Sequence, residues 1–367
     1  MAASRALRAD LAAMLGCVAI LALIGLVMGV SVAPPGEGWD RLGTHCLHLA
    51  LGLGAFLAAL AVPSRIARQI VPGLLVLVFA VLVAMLVVPG FGLRSHAAVR
   101  WIRVGSQPIQ PSVFLQCLWP AAIAAWIAED PLRCRQPREV TRVMLVFAVL
   151  VAPVLFQPDL GSVLILGVAT AMLFFFAGLP IRLLRIFVPV LILAFLVALV
   201  AFDHVEARIA AFLSRELGEQ ALRAQEAFAV GGLSGAGPGL GVMKLGWVPE
   251  GDTDYILALV AEEWGLIGTL AVWGLFVAFT LFGVRAARRA ESRYSALMLA
   301  AATLMISLQA ALNMAVVTNI APPKGLPLPF VSRGGSSILA LSALLGLAVR
   351  AAFEGSSRRS FSASVRP

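Results

Sequence analysis

The sequence predicts an all-α polytopic membrane protein: about ten transmembrane helices, both termini cytoplasmic, and a large extracytoplasmic loop between helices 7 and 8. Three observations carry this expectation. Of 367 residues, 60% are hydrophobic and 13% charged, with a mean hydropathy of +0.96, which excludes a soluble globular domain. Apolar stretches of about 20 residues recur ten times. Arginines gather in every second connection, as orientation in a bilayer demands. The formal charge of +9 therefore reports membrane orientation, and no nucleic-acid partner is expected.

The spans fall near 11–33, 45–62, 70–89, 112–128, 142–157, 159–178, 183–202, 254–283, 296–317 and 336–353, one transmembrane domain over 1–367. The first is read as a retained helix, because its apolar run exceeds a signal-peptide core and no small-residue cleavage site follows. One side of the membrane receives Arg5, Arg8, Arg65, Arg68, Arg133, Arg135, Arg138, Arg142, Arg182 and Arg185. It also receives Arg285, Arg288, Arg289, Arg293, Arg350, Arg358, Arg359 and Arg366. With these in short loops and tails, that side is cytoplasmic. Cys17, Cys46, Cys117 and Cys134 form no CxxC or Cys/His pattern, and His45, His48, His96 and His204 have no metal-site spacing. Neither a zinc site nor a disulfide framework is supported.

The outer connections hold the chemistry. Val88 to Pro111 carries Arg100, Trp101 and Arg103 and reads as an amphipathic piece at the interface, anchored by Trp101. Gln157-Pro-Asp-Leu-Gly161 is a tight outer turn in which Asp159 caps the next helix and is placed to point inward. Residues 203–253 form the large loop, with eight acids against four bases from Asp203 to Asp254. Its first part, near 205–229, is helical in pattern. The glycine-rich run 231–241 that follows is no Walker loop; it is either a flexible connection or a close approach of backbone to a ligand or to another segment. Glu250, Asp252, Thr253 and Asp254 then precede a span, and Glu262 and Glu263 lie about two turns inside it. Such acids are functional candidates by default, although Asp252, Thr253 or Asp254 could simply cap the helix. From Pro322 to Ser337, four prolines and three glycines exclude a regular helix. Lys324, Arg333, the amides of Gly334 and Gly335, and the helix start at Ser336 could face a diphosphate or carboxylate there.

These breaks, in this order, resemble the SEDS family (shape, elongation, division and sporulation proteins). The matching pieces are Arg100-Trp-Ile with Gly105 and Gln110-Pro-Ser112, Gln157-Pro-Asp-Leu-Gly-Ser162, and Gly231 to Gly241. They continue with Pro249-Glu250 and Thr253-Asp254, Glu262-Glu263-Trp-Gly-Leu-Ile-Gly268, Lys324-Gly-Leu-Pro-Leu-Pro-Phe-Val-Ser332 and Gly334-Gly-Ser-Ser337. Pro322-Pro-Lys324 is closer to the FtsW division branch than to the RodA elongation branch. The chain departs from the family pattern at three places. Asp252 stands where the family has histidine, Val113 and Gln116 stand where it has Glu and Lys, and Arg333 stands where it has mostly tyrosine.

The resemblance implies a glycosyltransferase of the bacterial cytoplasmic membrane that polymerises lipid II, an undecaprenyl-linked precursor, into peptidoglycan strands at the outer face. It implies a class B penicillin-binding protein as transpeptidase partner, with other divisome or elongasome membrane proteins. The family's essential acid falls on Asp254, expected to act as general base. Arg100, Arg103, Lys244, Lys324 and Arg333 are the candidates for the leaving diphosphate. A divalent cation, Mg or Mn, held by Asp254 with Asp252 or Glu250 is also open. Two rival classes remain at this point: a lipid flippase or secondary transporter, and a catalytically weak scaffold of a division complex. The rarity of ionisable residues in the middle thirds of the spans speaks against transport.

Overall fold

The computed structural model describes residues 2–32, 38–95, 98–105, 107–130, 132–157, 159–180, 218–245, 247–248 and 250–364, with isolated positions between 185 and 214. Helices α1 (Ala2–Ser31), α2 (Gly38–Ala61) and α3 (Ser64–Val87) lead into strands β1 (Leu93–Ser95), β2 (Ala98–Val104) and β3 (Gln107–Ile109). Then come α4 (Pro111–Glu129), a 3-10 turn (Arg133–Arg135), α5 (Pro137–Phe156) and α6 (Leu160–Phe176). After them follow α7 (Glu219–Gly231), α8 (Ile256–Arg289), α9 (Arg293–Val317) and α10 (Gly335–Ser364). Eight of these, all but α6 and α7, are long and apolar enough to cross a membrane, and α6 is apolar but shorter. The expected span 183–202 lies outside the described residues, apart from single positions.

α4, α9 and α10 are the most enclosed helices, whereas α2 and α3 turn most of their surface outward. Those outward faces carry exposed Leu51, Leu53, Leu57, Val76 and Leu77, apolar groups that a bilayer can solvate. α10 packs along α2, α1 along α8, and α8 along α9.

Two local results differ from the sequence reading. The stretch 93–109, read only as an amphipathic piece, forms a three-stranded antiparallel sheet in the order β1-β2-β3. Leu93 pairs with Trp101, and Ile102 with Ile109. The β-branched and aromatic residues of Val99-Arg-Trp-Ile-Arg-Val104 favour strand over helix. Glu262 and Glu263, meanwhile, serve the backbone. α8 is broken at Gly265 (φ 68°, ψ −162°), a conformation that penalises any side chain. The glycine-rich run enters the break. Ala236 and Gly237 donate to the carbonyls of Glu262 and Glu263 (2.8 and 3.0 Å), and Leu266 and Ile267 donate to Gly232 and Leu233 (2.9 and 3.3 Å). The Glu262 carboxylate accepts from the amides of Val242 and Met243 (2.6 and 3.0 Å). Glu263 takes the Gly239 amide, the Ser31 hydroxyl and the Lys244 ammonium (3.0, 2.5 and 3.0 Å). Irregular backbone at membrane depth is satisfied by protein here, as it must be.

Candidate active site

The turn before α8 is wound around Glu250, whose φ of 54° is unusual for a residue with a side chain. Its carbonyl accepts from the amides of Thr253, Asp254 and Tyr255 (3.2, 3.0 and 3.2 Å). The Thr253 hydroxyl donates to the Glu250 carboxylate at 3.0 Å. The N-cap residue is Tyr255, and no side chain caps the helix. Capping by Asp252, Thr253 or Asp254 is therefore corrected: the winding of the turn occupies these amides, which frees the carboxylates for other partners.

Asp252 uses its freedom on two guanidiniums. Its Oδ2 lies 3.1 Å from Arg41 of α2 and 2.7 Å from Arg333. Its carbonyl also accepts the Arg333 amide at 3.3 Å. Asp254 points at the Pro-rich loop: a Cβ added to Gly325 would stand 2.8 Å from its Oδ2. Asn313 of α9 fixes this meeting by donating to the carbonyls of Asp254 and Leu326 (2.7 and 2.5 Å). One turn earlier, Gln309 donates to the Pro327 carbonyl and the Ser337 hydroxyl (2.8 and 2.9 Å). The sequence reading passed over both amides. Their i,i+4 spacing on one face of an otherwise apolar span was the available signal.

Asp159 caps α6 as expected, accepting from the Ser162 amide at 3.2 Å and its hydroxyl at 2.6 Å. Lys324 approaches the same carboxylate at 3.7 Å. The Lys324 ammonium crosses Gly161 so closely that a Cβ there would lie 0.9 Å from Nζ; a larger residue would push the ammonium aside. Arg100 donates to the Gln157 carbonyl at 2.7 Å, which ties β2 to the α5–α6 turn. The Ser336 hydroxyl accepts the Gln110 amide at 3.1 Å. Gly334 packs on Pro327, and Gly335 leaves room for the His48 ring.

Asp254 is the group these placements act on. Burial first, then the charges of Glu250, Asp252 and Asp159, push its carboxyl up to about 7, against a smaller opposing pull from Arg100. The structure thus gathers Glu250, Asp252, Asp254, Asp159, Arg100, Lys324 and Arg333, and adds Arg41. Two expected members fall elsewhere. Lys244 is held by Glu263 and the Gly239 carbonyl (3.0 and 2.6 Å). Arg103, exposed, projects from the face of β2 opposite to Arg100.

A divalent cation between Asp254 and Asp252 does not suit these residues. Oδ2 of Asp252 already faces two guanidiniums, whose positive charge opposes a second cation beside it, and no cluster of three metal-ligating side chains occurs among the described residues. The departure at 113 and 116 is accommodated without charge. Val113 is buried, and the Gln116 amide reaches the Ser162 hydroxyl at 3.5 Å.

Known proteins resemble this chain in sequence and in fold. A probable peptidoglycan glycosyltransferase FtsW from Caulobacter vibrioides is 32% identical over 92% of this chain and 87% of its own length. The corresponding protein of Halorhodospira halophila is 33% identical over 92% and 89%. Among solved structures, a chain from a work on the coordination of polymerization and crosslinking by a peptidoglycan synthase complex superposes with a TM-score of 0.73. It has 24% identity and covers 93% of this chain and 97% of that one. The rod shape determining protein RodA of Thermus thermophilus gives 0.68 at 23% identity, over 93% and 96%. These two likenesses concern the fold. The family profile described as cell cycle protein, spanning FtsW, RodA and SpoVE, matches residues 7–357, and the chain belongs to that family.

Proposed function

We propose that this chain polymerises lipid II into glycan strands at the outer face of the bacterial cytoplasmic membrane, with Asp254 as the general base. Its curated relatives are named probable peptidoglycan glycosyltransferases. The observation that carries the residue assignment is the poise of Asp254 near neutrality, caused by burial and three neighbouring carboxylates. A base of that strength is half ionised at the pH where it must both accept and release a proton.

The reaction joins the 4-hydroxyl of one sugar to the anomeric carbon of another. Asp254 takes the hydroxyl proton as the new C–O bond forms, and the bond from the anomeric carbon to the lipid diphosphate breaks. The departing diphosphate gathers negative charge, which Lys324 and Arg100 can offset at the rim of the site. Arg333 and Arg41 act through Asp252 and position the turn. The partner is a class B penicillin-binding protein that crosslinks the strands. The Pro322-Pro-Lys324 signature favours a role in division over elongation.

Asp254→Asn keeps the shape of the side chain and removes proton acceptance. Strand synthesis from fluorescent lipid II, by purified protein with its transpeptidase partner, should fall by about a hundredfold or more. Expression and partner binding should stay intact. Wild-type rates in this variant would end the assignment of Asp254. Passage of lipid II across vesicles without any polymer from the wild type would make the chain a transporter.

A further inference from the structure

At the end of the bundle opposite Asp254 lies a cavity of about 840 Å³, between the first turns of α3 and α9 and the departing end of α10. That volume is within the ~300–1,000 Å³ typical of small-molecule sites. α9 separates the two regions: it runs from Arg293 at the cavity to Val317 near the acidic turn, roughly 36 Å at 1.5 Å per residue. The cavity therefore takes no part in the transfer described above.

Its lining is strongly basic. Arg65, Arg68, Arg293 and Arg350 face it, and Glu354 is the single acid among the lining residues. Glu354 is already committed. It accepts from Arg350 Nε at 2.7 Å and from the Ser64 amide at 3.2 and 3.3 Å, so it neutralises one guanidinium and satisfies the start of α3. Three positive charges are left over. Arg68 lies with Cζ over the Tyr294 ring, 3.8 Å from its centroid. Its Nε is buried with no acceptor among the described residues. A buried guanidinium nitrogen without an acceptor, in a cavity with excess positive charge, calls for an anion with several oxygens. Phosphate matches the planar fork best.

The surroundings say where that phosphate comes from. Ile66 and Ile70, on the same two turns of α3 as Arg65 and Arg68, are exposed, and so is Phe353 on the rim. The basic cavity is thus continuous with the exposed apolar face of a helix long and apolar enough to cross a membrane. It also sits at the arginine-rich ends of the helices, where the leaflet is anionic. We propose that this cavity binds the phosphate of an anionic phospholipid headgroup from the cytoplasmic leaflet. The proposal rests on the arginine placement and not on the role of Asp254.

The test uses the purified full-length chain and native mass spectrometry. The probes are phosphatidylglycerol, phosphatidylcholine and inorganic phosphate. Wild type should retain phosphatidylglycerol over phosphatidylcholine, and Arg65→Gln and Arg68→Gln should each cut that retention by about tenfold. Inorganic phosphate should neither protect the protein against heat nor displace the lipid. Equal retention by wild type and both variants overturns the proposal. So does displacement by inorganic phosphate, which would make the ligand a soluble anion. Arg65 is exposed, and its loss leaves every contact named above in place. Its variant therefore decides the matter even where Arg68→Gln does not fold.

Discussion

On one carboxylate, Asp252 gathers the guanidiniums of Arg41 and Arg333. Asp252 and Arg333 are two of the three places where the chain departs from the pattern it resembles. In space they are one ion pair, so the two departures compensate each other. The charge of Asp252 also helps to hold Asp254 up near 7. In Asp252→Asn that repulsion is gone, and the Asp254 carboxyl drops toward the ordinary carboxylate range. Activity that needs ionised Asp254 rises with pH through its pKa. The acid limb of the pH–rate profile should therefore move below the wild-type midpoint near 7, with a reduced plateau because Arg333 loses its anchor. An unmoved limb, measured by strand synthesis across pH 5 to 9, removes Asp252 from the electrostatics of the site. Asp254 was legible in the sequence because three acids crowd one turn ahead of an apolar span. Arg41 was not: its partner lies 211 positions away, and nothing local marks it. Lys244 misled for the converse reason. Its place among the outer-side cations suggested membership, whereas a buried carboxylate in the next helix claims it.

The broken α8 and the glycine-rich run form a single element. Each leaves backbone groups that only the other satisfies, and the Glu262 and Glu263 carboxylates fasten the junction. Glu263 is 1% exposed and Lys244 10%, so this pair is shielded from screening. Glu263→Gln would leave the Lys244 ammonium without its counter-charge, a loss on the order of 3–5 kcal/mol for a buried pair. Hydrogen exchange should then speed up over residues 236–245 and in α8 around Gly265, while the Asn313 junction stays protected. Uniform exchange across the molecule would show that the element does not open by itself. Hydropathy and glycine content foretold a span and a loop here. They could not foretell the interlock, because the docking of a glycine-rich backbone into a helix break has no periodicity. The sheet at 93–109 was hidden differently. Apolar and basic residues alternating over so few positions suit an interfacial helix and a strand alike.

At the scale of the whole molecule, the two ends of the bundle differ in charge balance. One end collects Arg65, Arg68, Arg289, Arg293 and Arg350 against Asp10 and Glu354; at the other, Glu250, Asp252, Asp254 and Asp159 are matched by Arg41, Arg100, Lys324 and Arg333. The arginine end is fastened by the Arg289–Asp10 ion pair between α8 and α1. Positive charge of this kind stays on the cytoplasmic side during insertion, which predicts that the acidic turn lies outside. Labelling of intact cells decides the orientation. The parent for that experiment is Cys46→Ser, because Cys46 is the exposed cysteine while Cys17, Cys117 and Cys134 are buried. In that background, a cysteine replacing exposed Glu219 at the start of α7 should react with an impermeant thiol reagent. One replacing exposed Arg288 near the end of α8 should react only after the membrane is opened. The opposite pattern would place Asp254 in the cytoplasm, where no polymer of the outer wall can be made, and the proposed reaction would fall with the orientation.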